Sequence, residues 1–440
     1  MAEVVPFQGI RYNPRRIGDM ADVVAPPYDV ISPEAQEGFY RRHPNNVIRL
    51  VLGLARPQDD DRDNVRLRAA RDFRQWQSEG VLIEDSEKGF YLTTVDYEVE
   101  GRTLRRFGLI GRVRLEPFDK GIILPHERTF SKVKSERLLL RKACHANFSP
   151  VFGLFTQGKS LLDRLGAIAD GQRPDVDLVD DSGHRHRLWH VGDPAVISAA
   201  SRFFADKRIY IADGHHRYET ALNYRQWVRE TQPDFTDDHP SNFVMMSLSS
   251  MEDPGMTILP AHRLIREVPE GAVADLLAKA PQYFDLLPVD LAGGIDAALA
   301  RFNTLLPEMA HRHAIGFYTK RPAVFQVMAL KEGVMEQLFG DDPPSALRDL
   351  DVTVLTHLIL MHLMGFDQAY MDDATRIIYR TSNRDALQAV DRGEAAVAFI
   401  LNPTRIEQVR RVAESGLIMP RKSTYFYPKV ISGLVFNRLR

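Results

Sequence analysis

The residues best suited to chemistry lie in the run YIADGHHRYETAL, Tyr210–Leu222. A strand ending in Asp213 turns at Gly214, the residue type that accepts positive φ without strain. A helix then opens with His215, His216 and Arg217 in its first turn. Free N–H groups and the positive end of the helix dipole meet there, which suits a phosphate. Cationic side chains at that end are unfavourable unless an anion is bound, and with one bound they add charge-assisted donors. Asp213 could hold a ribose hydroxyl, a metal or the backbone of the turn. The bland alternative is an N-capping aspartate followed by surface imidazoles and a guanidinium.

A second run, ILPHERTFSKVKSERLLLRKA, sets Glu127 beside His126 and follows them with Lys132, Lys134, Arg137, Arg141 and Lys142. A carboxylate next to an imidazole suits a general base that deprotonates a hydroxyl. The basic run is either a site for a substrate anion or the solvated face of a helix. In PRKSTYFYPK, Ser423, Tyr425, Tyr427 and Lys429 share one face of a strand and, with Lys422, would form a pocket wall. Tyr28 and Asp29 in APPYD, and His262 and Arg263 in LPAHR, place polar groups just past a proline. His184, His186 and His190 alternate on a strand, without an acid partner at ligand spacing. His357 and His362 sit on an apolar helix as core or partner contacts, and Cys144 reads as a small buried hydrophobe. Neither G-x-x-x-x-G-K-[ST] nor G-x-G-x-x-G is present.

The elements that must position these groups follow from periodicity. Asn45–Gly53 reads as a short buried strand, and Asp63–Gly80 as a helix with Asp63 at its N-cap. A hairpin turns at Glu100–Gly101, a helix covers Lys134–Cys144, and strands cover Ser149–Phe155, Arg208–Asp213 and Asn242–Asp253. Helices and strands alternate through the last third, including a helix over Val352–Met364. The class is mixed α+β, in three regions: 1–120, 121–268 with the two motif runs, and 269–440 with the tyrosine strand. At 440 residues, 44% apolar and 26% charged, the composition is that of a globular protein. A net charge of −2 argues against non-specific nucleic-acid binding. One cysteine excludes a disulfide framework or a multi-cysteine metal site. The N-terminus lacks a secretory pattern, and the longest apolar run, Leu358–Met364, is too short to span a bilayer, so a cytoplasmic location is expected.

Five segments together, VVAPPYDVIS, LPHERTFSKVKSERLLL, ANFSPVFGLF, YIADGHHRYETAL and MPRKSTYFYPK, resemble the domain of unknown function 1015 family across nearly the whole chain. The DGHHR stretch also resembles the phosphate-binding motif of the ParB/sulfiredoxin superfamily, which includes CTP-binding partition proteins and free-serine kinases. That second resemblance implies a nucleotide-binding core with added N- and C-terminal α/β elements, and an insertion around Gly158–Asp193. It implies that Asp213, Gly214, His215, His216 and Arg217 hold phosphates and that Glu127 is the base, with His126 beside it. It implies phosphoryl transfer on a small hydroxylated metabolite, with L-serine and O-phosphoserine as the expected pair, ATP or ADP as nucleotide and Mg²⁺ on its phosphates. Lys132, Lys134 and the tyrosine strand would hold a substrate carboxylate or phosphate. His215 stands where sulfiredoxin needs cysteine, which argues against peroxiredoxin repair. The rival expectation is a non-catalytic CTP- or ATP-binding switch.

Overall fold

The longest alternation in the chain folds as the expected hairpin in the computed structural model. Glu100 and Gly101 both take positive φ, 50° and 73°, which matches the twist of the flanking strands. The structure describes residues 1–440 apart from Phe130, Asp234 and Ala374 and the side chains of Ser131, Lys132 and Asp372. Two units divide the chain: Met1–Thr257 with Pro428–Arg440, and Ile258–Tyr427. Helices and sheets are mixed in both, as an α+β chain requires.

The first unit is built on a nine-stranded sheet. Its strands are β1 (Val4–Val5), β2 (Phe90–Val99), β3 (Arg102–Arg114), β4 (Ile123–Leu124), β5 (Val151–Phe155), β6 (Val176–Val179), β7 (Arg185–Val191), β8 (Ile209–Asp213) and β9 (Phe243–Ser250). They run in the order β4-β8-β5-β9-β3-β2-β7-β6, with β1 on β3. Two pairs are parallel, β4 with β8 and β5 with β9, and the rest are antiparallel. Its helices include α1 (Val65–Ser78), α2 (Ser131–Cys144), α3 (Lys159–Gly171), α4 (Pro194–Phe204) and α5 (His215–Thr231).

Side chains two apart point to one face. Ile209 and Ile211 of β8, with Val244, Met246 and Leu248 of β9, join one core with Leu161, Leu165, Phe204, Tyr218 and Ala221 from α3, α4 and α5. The opposite face packs Tyr91, Ile110, Leu188 and Met245 against Ile431, Leu434 and Val435 of the C-terminal segment. That segment also sends Phe436 into the core around α1 and Leu439 against Tyr224 and Val228 of α5.

The second unit holds a six-stranded sheet of β10 (His262–Ile265), β11 (Phe284–Pro288), β12 (Ile315–Thr319), β13 (Val324–Leu330), β14 (Ile377–Arg380) and β15 (Val397–Ile400). The order is β11-β13-β12-β15-β10-β14, antiparallel throughout. Phe302 and Leu387, from helices Gly294–Glu308 and Asn383–Asp391, cover it with Leu264, Val327 and Ile400.

Three expectations meet a different structure. Asn45–Gly53 is not a strand: Ile48–Val51 forms a helical turn. The Asn46 carboxamide starts it by accepting the Ile48 N–H at 2.9 Å. A short apolar run buried on all sides carries no period to separate the two states. The division at 1–120, 121–268 and 269–440 differs from the two units, because one sheet takes strands from both of the first two regions. The helix expected over Val352–Met364 is α-helical only at Asp351–Thr353 and widens to π turns over Val354–Leu363. No helix among the described residues is long and apolar enough to cross a membrane.

Candidate functional site

Parallel pairing explains how residues 88 positions apart meet. Ile123 and Leu124 of β4 register with Ile209 and Tyr210 of β8, so both strands leave the sheet side by side. His126 and Glu127 follow one strand, and Gly214 and His215 follow the other. The stretch Gly158–Asp193, expected as an insertion, supplies α3, β6 and β7 between them. The His126 backbone N–H donates to His215 Nε2 at 3.2 Å, and the two rings meet edge to face at 4.8 Å. With Nε2 accepting, the His215 proton is assigned to Nδ1, which lies 3.8 Å from a Glu127 carboxylate oxygen. Glu127 keeps 34% of its side chain exposed, whereas His215 is enclosed.

Burial sets the charges here. Desolvation holds His126 down at about 4 and His215 well below the usual imidazole value. Half-buried His216 is lowered too, by burial first, against the pull of Glu219 and Asp29. All three imidazoles are therefore neutral at pH 7. The positive charge expected from His215 and His216 at the start of α5 is absent, because losing water costs the charged form more than nearby carboxylates return.

Arg217 also departs from the expected picture. Its guanidinium folds back onto the Asp213 carboxylate, its i−4 neighbour, and onto the Pro150 carbonyl. Gly214 makes room for this. It adopts φ 91°, and a Cβ there would lie 2.7 Å from Arg217 Nε and 2.9 Å from Cζ. The other Asp213 oxygen accepts from Lys429 Nζ at 2.6 Å. Burial alone would raise the Asp213 carboxyl, but Lys429 and Arg217 outweigh it and hold it well below the carboxylate range. Both Asp213 oxygens are engaged by cations, so the residue braces the turn and is not open to a ribose or a metal.

Glu219 ties the loop after β4 to α5. It accepts from Thr129 Oγ1 at 2.6 Å and from Lys134 Nζ at 2.5 Å. Lys134 is thereby placed at the site, while the Lys132 side chain lies outside the described residues. Tyr28 lies beneath the Arg137 guanidinium, 3.9 Å from its ring centre, and exposed Asp29 acts on His216. Pattern reading misses Glu219 and sets Lys429 on the tyrosine face, whereas β16 (Tyr425–Tyr427) stops before Pro428.

His262, Arg263, Lys422, Ser423, Tyr425 and Tyr427 belong to the second unit. His262 is buried in β10, accepts the Leu401 N–H at 3.2 Å and is pushed down to about 3 by burial. Arg263 donates to the carbonyls of Ala261, Arg421 and Lys422 at 2.6, 3.0 and 3.1 Å. Ser423 Oγ donates to the Pro420 carbonyl. Tyr425 and Tyr427 flank buried Phe426, as strand alternation predicts. In the first unit, Asp180 supplies the acid that the alternating histidines lacked. Its Oδ2 lies 2.9 Å from His186 Nε2 and 3.3 Å from His184 Nδ1, and the three ligand atoms gather within 4.8 Å. His190 packs instead against Gly89. Burial pushes the Cys144 thiol up to about 12, so it is no nucleophile.

A family model described as "protein of unknown function (DUF1015)" matches residues 4–353. Among solved structures, a free serine kinase in complex with AMP aligns at 12% identity and a TM-score of 0.34, covering 72% of this chain and 86% of that one. A conserved hypothetical protein from Pyrococcus furiosus aligns at 12% identity and 0.34, covering 73% and 92%. SbnI with C-terminal truncation, from Staphylococcus aureus, aligns at 9% identity and 0.34, covering 73% and 85%. No curated protein matches the chain.

Proposed function

The chain belongs to the DUF1015 family of proteins of unknown function, and from the site it carries we propose phosphoryl transfer to or from a small hydroxylated metabolite. One observation carries this reading: the Glu127 carboxylate stands partly open to solvent beside His215 Nδ1–H, at a glycine turn that opens a helix. A base near an anion-binding helix end is what transfer between a hydroxyl and a phosphate needs. Such transfer is mainly positioning and charge stabilisation.

The phosphates of the donor lie across the backbone N–H groups at the start of α5, with Lys134 alongside. Glu127, oriented by His215, takes the proton of the substrate hydroxyl. That oxygen bonds to phosphorus while the bond to the nucleotide oxygen breaks, and the nucleotide leaves with the electron pair. Run backward, Glu127 returns the proton to the departing hydroxyl. L-Serine and O-phosphoserine are the proposed pair, with ATP and ADP as donor and acceptor, from the resemblance of the DGHHR stretch. Magnesium prefers one or two carboxylates plus substrate phosphates; exposed Asp29 would hold it here, where it would neutralise phosphate charge.

The test incubates the full chain with L-serine, ATP and Mg²⁺, and separately with O-phosphoserine and ADP. Serine and phosphoserine are followed directly. Turnover that Glu127→Gln abolishes, with nucleotide affinity retained, supports the reading. Nucleotide binding without turnover across a panel of hydroxy acids overturns it in favour of a nucleotide-dependent switch.

A further inference from the structure

Arg217 has a second side. It lines a cavity of about 60 Å³ together with Arg137 and Arg141 of α2 and with Tyr28, Asn147 and Thr220. Arg137 and Arg141 are four apart, so like charges share one face of a helix and point inward, an arrangement that disfavours the helix unless something answers it. Arg137 is partly answered by the Val51 carbonyl at 2.5 Å and by the Tyr28 ring. Arg217 has Asp213, but that carboxylate is already shared with Lys429. Arg141 has neither: only 9% of it is exposed, and among the described residues its side chain makes no hydrogen bond and no ion pair. Burial lowers it only to about 10, so it stays cationic at pH 7. Two further lining residues carry buried polar atoms without a partner, Thr220 Oγ1 and Asn147 Nδ2. The Asn147 oxygen is turned away, toward the Met245 N–H and the Asn437 amide.

Buried charges are ordinarily paired, and buried donors are ordinarily bonded. A cavity with one uncompensated guanidinium, two partly compensated ones, a hydroxyl and an amide nitrogen is complementary to a compact oxyanion. Guanidinium forks suit the two oxygens of a carboxylate or two of a phosphate. We propose that this cavity is an oxyanion subsite that seats the acid group of the substrate, a carboxylate or a phosphate, between Arg137, Arg141 and Arg217. The assignment of that group to the substrate rests on the phosphoryl-transfer reading; the anion affinity of the cavity does not. Arg217 then links the two functions, since the side chain that braces the Gly214 turn also faces the bound acid.

Thermal unfolding of the full chain with sodium acetate or inorganic phosphate, at constant ionic strength, tests this. Binding to the folded state raises the transition temperature. One anion should raise it for the wild type, acetate identifying a carboxylate site and phosphate a phosphate site. Arg141→Met should remove that rise. It should also leave the anion-free transition equal or higher, since a buried cation without a counter-charge is costly; a purely structural Arg141 would lower it. Arg141→Lys, which keeps the charge, should restore part of the anion response and serves if the Met variant does not fold. Under turnover, Arg141→Met should raise KM for the acid substrate by roughly tenfold, the weight of about one charge-assisted contact, with KM for the nucleotide unchanged. An insensitive wild type, or an unaltered rise in both variants, overturns the subsite. An Arg141-dependent rise without any turnover sinks the phosphoryl-transfer reading and keeps the cavity. Turnover with an unchanged acid KM in Arg141→Met keeps that reading and overturns the seating of the substrate's acid group in the cavity.

Discussion

The two sheets of this chain bury similar rows of apolar side chains yet put their polar groups to different uses. In the second unit, several polar side chains bond to nearby backbone or carboxylate groups, although His262 Nε2 and Gln326 Nε2 are buried without a partner among the described residues. His262 accepts a neighbouring N–H, Arg263 donates to three carbonyls, and His313 donates to Asp351 at 2.9 Å. In the first unit, the parallel pair β4 and β8 sends two chain segments out of the same edge. That edge gathers an acid, two imidazoles and a glycine turn. Ligands of sheets with parallel strands commonly bind beyond the carboxyl ends of those strands, and here the polar groups collect in that position. Histidines differ as well: desolvation keeps His126 and His215 neutral, as it does His262 in the second unit, whereas the Asp351 contact raises His313.

The largest break in this contrast should come from Glu127→Gln. Loss of a general base lowers kcat by about 10²- to 10⁴-fold. Stability should stay within about 0.5 kcal/mol, because the side chain is partly exposed; urea unfolding beside the kinetic assay checks both. Lys429→Met should come next, leaving buried Asp213 with Arg217 alone and costing up to about 3 kcal/mol at pH 7. The folded Asp213 value is depressed, so its contribution is present above the ordinary value of 3.8 and lost as pH falls from there toward the folded value. The gap in urea midpoint between wild type and variant should accordingly shrink below pH 4. Gly214→Ala should cost about 1–3 kcal/mol for positive φ, and more if Arg217 cannot move aside; a smaller fall in unfolding midpoint than at Lys429 would show that the guanidinium yields. The smallest change is expected in the other unit. His313→Gln should cost about 1 kcal/mol at pH 6 and almost nothing at pH 9. The folded His313 value is raised, so its contribution is full below the ordinary 6.5 and disappears as pH climbs through the raised value. Equal losses at both pH values would remove the difference drawn between the two histidine environments.

Much of the site could be read along the chain because its signals are local. Gly214 between a β-type run and a helical one marks the turn, and Glu127 beside His126 marks a base. The hairpin at Glu100–Gly101 and the strand at Ile209–Asp213 are written in alternation and turn chemistry. Other features depend on distances that the chain order hides. Whether Arg217 points past the helix start or back to Asp213 is decided by a glycine with no Cβ in the way. Lys429 reaches Asp213 across 216 positions, and its neighbours suggested a strand face. The neutrality of His215 follows from burial beneath a loop whose placement depends on parallel register. Arg141 reads as one more cation on a solvated helix face until the cavity encloses it.

The return of Pro428–Arg440 to the first unit has a consequence for how this protein is made. Synthesis runs from the N-terminus, so the ribosome adds all of Ile258–Tyr427 before it reaches Lys429, Phe436 and Leu439. Until then Asp213 lacks one of its two cations, and the cores around α1 and α5 each lack a buried side chain. A nascent or truncated polypeptide ending before Pro428 would carry the DGHHR turn with Arg217 but not Lys429 on Asp213.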